Sequence, residues 1–187
     1  MTPGASLPPP WRTRWRVRVG YPVALVCFFL ARPQAWSLAG GAALAAVGLA
    51  IRAAAAGHLR KHESLATSGP YAWTRSPLYL GSLFLAAGFL LAAASSLAAV
   101  FMAVYLAVFY PGVIRREEEE LRSEYGEEFN EYARGVPLFW PRPPGAAPAA
   151  PRAFSWEQYR RNREYQALIG TLAAFAILAG LMYWRSR

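Results

Sequence analysis

Four stretches of the chain run long without a charge: Val19 to Ala31, Pro33 to Ile51, Ser76 to Ile114 and Gln166 to Trp184. A helix crossing about 30 Å of hydrocarbon needs about 20 apolar residues. The 39 residues from Ser76 to Ile114 are too many for one crossing and suit two, folded at the polar pair Ser95-Ser96. The pattern predicts an all-α polytopic membrane protein with about five transmembrane helices, near 17–31, 35–56, 77–94, 97–114 and inside 155–187. The first is the shortest, since 13 uncharged residues rise only about 20 Å. It crosses if Arg18 reaches back to the interface or the bilayer thins. Arg12, Arg14, Arg16 and Arg18 ahead of it also look like the start of a signal peptide. Ala31-Arg32-Pro33 is a poor cleavage site, so the helix is expected to be retained.

The polar intervals complete the organisation. Residues 1–16 read as a disordered basic N-terminal arm. Gly40, Gly41, Ala45 and Gly48 stud the second helix with small side chains, which let membrane helices approach closely. A phosphate-binding loop is the rival reading there, but GxGxxG spacing is absent. Beyond the hairpin, 115–132 reads as a cytosolic helix, with Leu121, Tyr125, Phe129 and Tyr132 recurring at helical spacing. Residues 17–141 thus form the core; 142–154 is a Pro-rich linker, and 155–187 holds an amphipathic segment and the last helix.

Charge then orients the bundle. The net charge is +9, and with five alternating helices only Arg32, Arg185 and Arg187 of the 20 Lys and Arg residues fall on the far side. This positive-inside bias predicts an inner-membrane, multi-pass protein with its N-terminus inside and C-terminus outside. Anionic lipid accounts for the basic surplus without nucleic acid. Cys27 is the sole cysteine, so no intrachain disulfide forms. His58 and His62 are four apart, but HExxH and further ligands at metal spacing are absent, so no metal is expected. A Ser-His-Asp hydrolase is set aside, because the chain has no Asp and no GxSxG.

Two clusters at the inner face hold candidate chemistry. One is Gly69-Pro70-Tyr71 followed by Arg75-Ser76-Pro77-Leu78-Tyr79-Leu80-Gly81; the other is the acidic run Glu117 to Glu120 with Leu121. Alone, each has an ordinary explanation: interfacial anchors for the first, a solvated helix face for the second. A hairpin folded at Ser95-Ser96 brings them together, because positions summing to about 191 pair and Arg75 emerges level with Arg116 and Glu117.

The combined spacing resembles the isoprenylcysteine carboxyl methyltransferase and phospholipid methyltransferase family of membrane enzymes. It runs Gly-Pro-Tyr, Arg75-x-Pro77-x-Tyr79-x-Gly81, an apolar hairpin, Glu117-Glu118-x-x-Leu121-x-x-x-Tyr125-Gly126, then Tyr132, Val136-Pro137 and Pro141. The resemblance implies S-adenosylmethionine as cofactor, held at the cytosolic membrane face. It assigns Arg75, Glu117 and Glu118 catalytic roles. Cofactor contacts fall to Tyr71, Arg75, Ser76, Pro77, Tyr79, Gly81, Leu121, Tyr125 and Tyr132. The chain departs at Ser76, where the family usually carries His, and more mildly at Phe129, Gly135 and Leu138.

The residue types suit that chemistry on their own terms. Methyl transfer from a sulfonium is an in-line displacement that needs positioning and exclusion of water. An arginine fork suits the cofactor's carboxylate, a glutamate its ammonium, and aromatic faces its adenine and sulfonium. A carboxylate or thiolate acceptor needs no base; an amine or phenol does, and Glu117 or Glu118 is placed for it. The expected partners are a lipophilic methyl acceptor and membrane lipid. The alternatives are an NADPH-dependent reductase of steroid-reductase type, argued against by the short chain, and a non-enzymatic membrane scaffold. Transport is disfavoured because the apolar runs hold almost no polar residues to line a path.

Overall fold

The computed structural model describes residues 11–60, 63–143 and 153–187. Among them stand seven α-helices and one 3-10 turn, and no strand. The long helices are α1 (Trp11–Leu30), α2 (Ala35–His58), α3 (Pro77–Ala93), α4 (Ser96–Tyr125) and α7 (Tyr165–Arg185). The short ones are α5 (Glu127–Gly135) and α6 (Trp156–Arg161), and the turn is Gly69–Ala72. Three helices, α2, α4 and α7, are long and apolar enough to cross a membrane; α3 and the apolar part of α1 (Arg18–Leu30) are shorter.

The tightest packing joins α2 to α3. Ser37, Gly41, Ala45 and Gly48 recur every three or four residues and form the buried face of α2. Gly81, Gly88 and Ala92 of α3 lie opposite, also buried. A Cβ on Gly48 would stand 2.7 Å from the carbonyl oxygen of Gly81, and one on Gly88 2.6 Å from that of Gly41. No side chain intervenes between the two backbones at these points. Small residues permit that approach, and dispersion over the long contact rewards it. The hydroxyl of Ser37 donates across the seam to the Ala92 carbonyl at 3.1 Å.

The remaining helices are arranged around this pair. The chain reverses at Ala94, in the left-handed region (φ 47°), and Ser95 caps α4 by accepting from the amide of Ala98. That is the hairpin expected at Ser95-Ser96. α1 runs antiparallel along α4, with Gly20 against the Tyr105 ring and the Cys27 thiol 3.6 Å from the Ala98 carbonyl. α7 inserts Leu178 among Ala31, Ala92 and Ala93, and Arg185 donates to the Ala31 carbonyl. The five long helices therefore alternate in direction. One end gathers the C-termini of α2 and α4 with the N-termini of α3 and α7, and the other holds Arg32 and Arg185.

Two boundaries differ from the sequence reading. α1 begins at Trp11, so residues 11–16 of the expected disordered arm are helical; residues 1–10 lie outside the described ones. Trp11 to Val19 contains neither Gly nor Pro, so nothing stops the helix running back from the apolar run. α4 likewise does not end at Ile114 but continues unbroken to Tyr125. Its charged residues are good helix formers, and Arg116 and Glu120 pair at 2.6 Å one turn apart. The break falls at Gly126 (φ 54°), a conformation that glycine adopts without strain. Of the Pro-rich linker, residues 144–152 lie outside the described ones.

Much apolar surface has no protein cover. Val100, Phe101, Val104 and Val108 of α4 are exposed, as are Leu168, Ile169, Leu172 and Ile177 of α7. Contiguous exposure on that scale marks contact with a membrane or another protein.

The seam makes a direct prediction. Gly48→Val should lower the thermal stability of the detergent-solubilised protein by the cost of overpacking, about 1–3 kcal/mol or more where backbone must move. Gly180→Val, where an added Cβ meets nothing within 4 Å, should leave the melting temperature unchanged apart from a small gain in helix propensity. Equal melting of the two variants would show that the seam is not a close contact.

Candidate active site

A cavity of about 210 Å³ opens where the charged ends of the helices meet. Its lining includes Tyr71, Arg75 and Ser76 before α3, and Glu117, Glu118, Leu121 and Tyr125 on α4, with Tyr132 on α5. Eight of the residues expected at the site are thus brought together. Pro77, Tyr79 and Gly81 do not line this cavity. Pro77 is fully buried at the first turn of α3. The Tyr79 ring meets Tyr110 of α4 edge-on at 5.7 Å. Gly81 belongs to the α2–α3 seam, where an added Cβ would clash with the Gly48 carbonyl and the Arg52 stem.

A strap after α5 fixes the first motif. The amide of Arg75 donates to the Pro137 carbonyl at 2.9 Å, and the amide of Arg142 donates to the Trp73 carbonyl at 3.0 Å. The buried hydroxyl of Thr74 bonds to the Leu138 and Phe139 carbonyls. Across the cavity the Tyr132 hydroxyl donates to the Tyr71 carbonyl at 2.7 Å. These ties close α4, α5 and the strap over the start of α3.

Electrostatics centre on Arg75. Its Nη1 stands 2.7 Å from Glu118 Oε1, with both side chains mostly covered. Its guanidinium carbon lies 6.0 Å from the centroid of Phe129, and that of Arg122 lies 5.5 Å from the same ring. Phe129 is fully buried. It is a platform beneath two guanidiniums, each held by attraction between cation and ring. The Arg75–Glu118 contact is close but poorly angled for hydrogen bonding. Arg75 Nε and Glu118 Oε1 both stay buried without a hydrogen-bond partner among the described residues. Such atoms are rare in folded proteins and point to a missing polar partner. The pairing residue is Glu118, one position beyond the Glu117 that the hairpin register favoured.

Burial pushes the Tyr71 phenol up, with the Glu117 carboxylate adding to the shift. Burial also raises the Tyr132 phenol, against a smaller lowering by Arg75. Both remain neutral hydrogen-bonding groups.

Sequence reasoning missed one wall of the cavity, built by Leu59, Arg60, Ser64, Leu65 and Ala66. This segment has no periodicity and no motif. It also missed the braces beneath it. Arg52 grips the buried carboxylate of Glu164 through two nitrogens at 2.6 and 3.0 Å. The same guanidinium reaches Ser82 on α3. His58 bonds to the Ala54 carbonyl through Nδ1, and its ring lies against Phe154 and Gly69. His62 lies outside the described residues.

Residues 42–123 match the isoprenylcysteine carboxyl methyltransferase family, as the spacing of the two motifs led us to expect. Two curated relatives are similar. One is the cobalt-zinc-cadmium resistance protein CzcN of Cupriavidus metallidurans, 42% identical over 83 residues, which are 44% of this chain and 38% of the relative. The other is the nickel-cobalt-cadmium resistance protein NccN of Alcaligenes xylosoxydans xylosoxydans, 35% identical over 137 residues, 68% of this chain and 63% of the relative. The chain thus matches less than two thirds of the length of each. No solved structure matches it.

The two phenols predict an alkaline limit. Free tyrosine ionises near pH 10, and the folded phenols ionise higher, so the unfolded chain loses these protons first. Stability owed to Tyr71 and Tyr132 is therefore intact below about pH 10 and is lost as the pH rises further. In an ultraviolet titration of the folded protein, Tyr71 and Tyr132 should ionise well above pH 10, and Tyr132→Phe should remove one late-titrating phenol. All phenols titrating together near pH 10 would contradict the burial of this pair.

Proposed function

We propose that the chain is an S-adenosylmethionine-dependent membrane methyltransferase acting at the cytosolic face on a lipophilic acceptor. The observation that carries this reading is Arg75, mostly covered in the cavity with its buried Nε unused, beside two glutamates and a family-matched framework. The donor set fits the cofactor. Arg75 would hold its carboxylate, Glu118 or Glu117 its ammonium, and the rings of Tyr71, Tyr125 and Tyr132 would offer aromatic faces. Bound there, S-adenosylmethionine would supply an electrophilic methyl group. The chain's own work is to orient the two reactants and keep water from them. For an amine or phenol acceptor, the carboxylate of Glu117 would take the proton.

The same reading includes five membrane crossings with the charged end inside. The alternating helix directions and the placement of Arg32, Arg185 and Arg187 support it. Exposed aromatics do too: Trp73, Trp140 and Trp156 stand at the charged end, Trp36, Tyr183 and Trp184 at the other. Aromatic rings of that kind collect at membrane interfaces.

The relatives' names concern resistance to cobalt, zinc, cadmium and nickel. We extend that cellular role to this chain as methylation of a membrane component, because the polar and aromatic lining of its cavity suits an organic cofactor. Among the described residues no group of three His, Cys, Asp or Glu gathers to hold a cation.

Purified protein should bind S-adenosylmethionine and S-adenosylhomocysteine in calorimetry and give no heat with NADPH. Arg75→Lys keeps the charge but loses the planar fork. It should lower kcat/KM for methyl transfer to a lipid extract by about 100-fold, the scale of losing one fixed donor in a dry site. NADPH binding without a response to either methyl-cycle compound would favour a reductase instead. A strain depending on this protein for metal tolerance should lose that tolerance with Arg75→Ala; retention would separate the resistance from the site.

A further inference from the structure

The family match ends at residue 123, yet the chain beyond it returns to the cavity through the junction of α6 and α7. Asn162 donates through Nδ2 to the carbonyls of Ala56 at 2.9 Å and Leu59 at 2.8 Å. These are terminal carbonyls of α2, which have no partner within the helix. Leu59 also lines the cavity. Two residues on, Glu164 is only 8% exposed and holds Arg52 through both carboxylate oxygens. One residue before Asn162, Arg161 pairs with Glu63 on the wall segment at 2.7 Å.

The backbone between these ties is strained. Arg163 has φ +54°, a conformation that L side chains rarely adopt, and its side chain is exposed. Such a residue persists where its surroundings over-determine it, and it commonly marks a functional site. Here the determinants are its neighbours Asn162 and Glu164, each bound to α2.

We propose that Asn162 is a positioning residue of the site: by holding the last carbonyls of α2 it sets the wall through Leu59 and Leu65 against Arg75 and the glutamates. The proposal rests on the cavity being the methyltransferase site, and it assigns the α6–α7 junction a role in cofactor affinity. The junction holds the wall and touches no reacting group. Its loss acts on how well the cavity is formed, and the chemistry of the filled site is left as it was.

The test uses the full chain with Leu65→Cys as a reporter, because Leu65 lines the cavity and is 7% exposed. The native Cys27, wholly buried in the bundle, is the internal control. Adding Asn162→Leu should speed maleimide labelling at position 65 by about tenfold, as expected for local opening of a segment that has lost its tie. Labelling at Cys27 should stay negligible. In the chain with Leu65 intact, Asn162→Leu should raise KM for S-adenosylmethionine about fivefold or more with kcat within about twofold. Unchanged labelling at position 65 overturns the proposal, and so does a parallel rise at Cys27, which would mean a global structural role. If Asn162→Leu does not fold, Arg161→Ala cuts only the exposed tie to Glu63. It should raise labelling at position 65 about twofold, and no change there would also overturn the proposal. If the unaltered chain binds neither S-adenosylmethionine nor S-adenosylhomocysteine, the methyltransferase reading falls, while the labelling rates still decide whether Asn162 positions the wall.

Discussion

The direct contact between the backbones of α2 and α3 is the constraint on which the other parts depend. Gly41 and Gly48 on one side and Gly81 and Gly88 on the other leave no room for a Cβ. Two consequences follow from that closeness. Arg52, one turn beyond Gly48, is held near enough to α3 for its guanidinium to reach Ser82. The start of α3 is fixed as well, and with it the departure of Tyr71, Arg75 and Ser76 toward the cavity. A larger residue in the seam would shift the axis of α3, and the displacement would appear at the site. Four glycines deep in an apolar bundle thus govern a polar cavity at its end.

Around that frame the charged groups are arranged so that each covered cation has a partner. Arg52 has Glu164, and Arg75 has Glu118 with Phe129 beneath it. Removing charges from water costs several kcal/mol per ion unless geometry and hydrogen bonds offset it. The Arg52–Glu164 pair meets that demand, with two nitrogens on two oxygens. The Arg75–Glu118 pair does not, since a nitrogen and an oxygen remain unsatisfied. The first pair is built like a structural brace, and the second keeps a donor and an acceptor unsatisfied beside the cavity. That contrast separates scaffold from chemistry more sharply than exposure does, for both arginines are mostly covered.

How much was legible in the sequence follows from how local each signal is. Apolar runs and the Ser95-Ser96 turn are properties of short windows, so the long helices and the hairpin were readable. The hairpin register then placed Arg75 beside the acidic run to within one residue. Helix ends were harder: α4 passes Ile114 because charged residues continue a helix as readily as apolar ones, and only the backbone at Gly126 stops it. Gly81 sits inside the motif spacing, yet its contacts are with α2; a spacing does not reveal which face of a helix a residue occupies. The wall of Leu59, Arg60, Ser64, Leu65 and Ala66 and the partners of Asn162 were illegible for another reason. They depend on contacts roughly 100 residues apart in sequence, made by backbone carbonyls that carry no residue-specific signal.

Ser76 shows what the geometry adds to such a motif. The family usually has an imidazole at this position, and a hydroxyl neither titrates near neutrality nor stacks. In this chain Ser76 is nearly buried and lines the cavity, so the substitution removes a ring from the site itself. Aromatic surface is not lacking there. Tyr71, Tyr125 and Tyr132 share the cavity, and Phe129 supports Arg75 from below. A serine beside Arg75 leaves more space at the root of α3 than an imidazole would, and it takes away a group able to change charge. In the proposed methyltransferase, recognition would fall on the arginine and the two glutamates, which would distinguish a zwitterionic ligand by opposite charges held at fixed places. A site of that design would tolerate the loss of the ring far better than the loss of either charge, since an unpaired covered charge costs more than a lost ring contact.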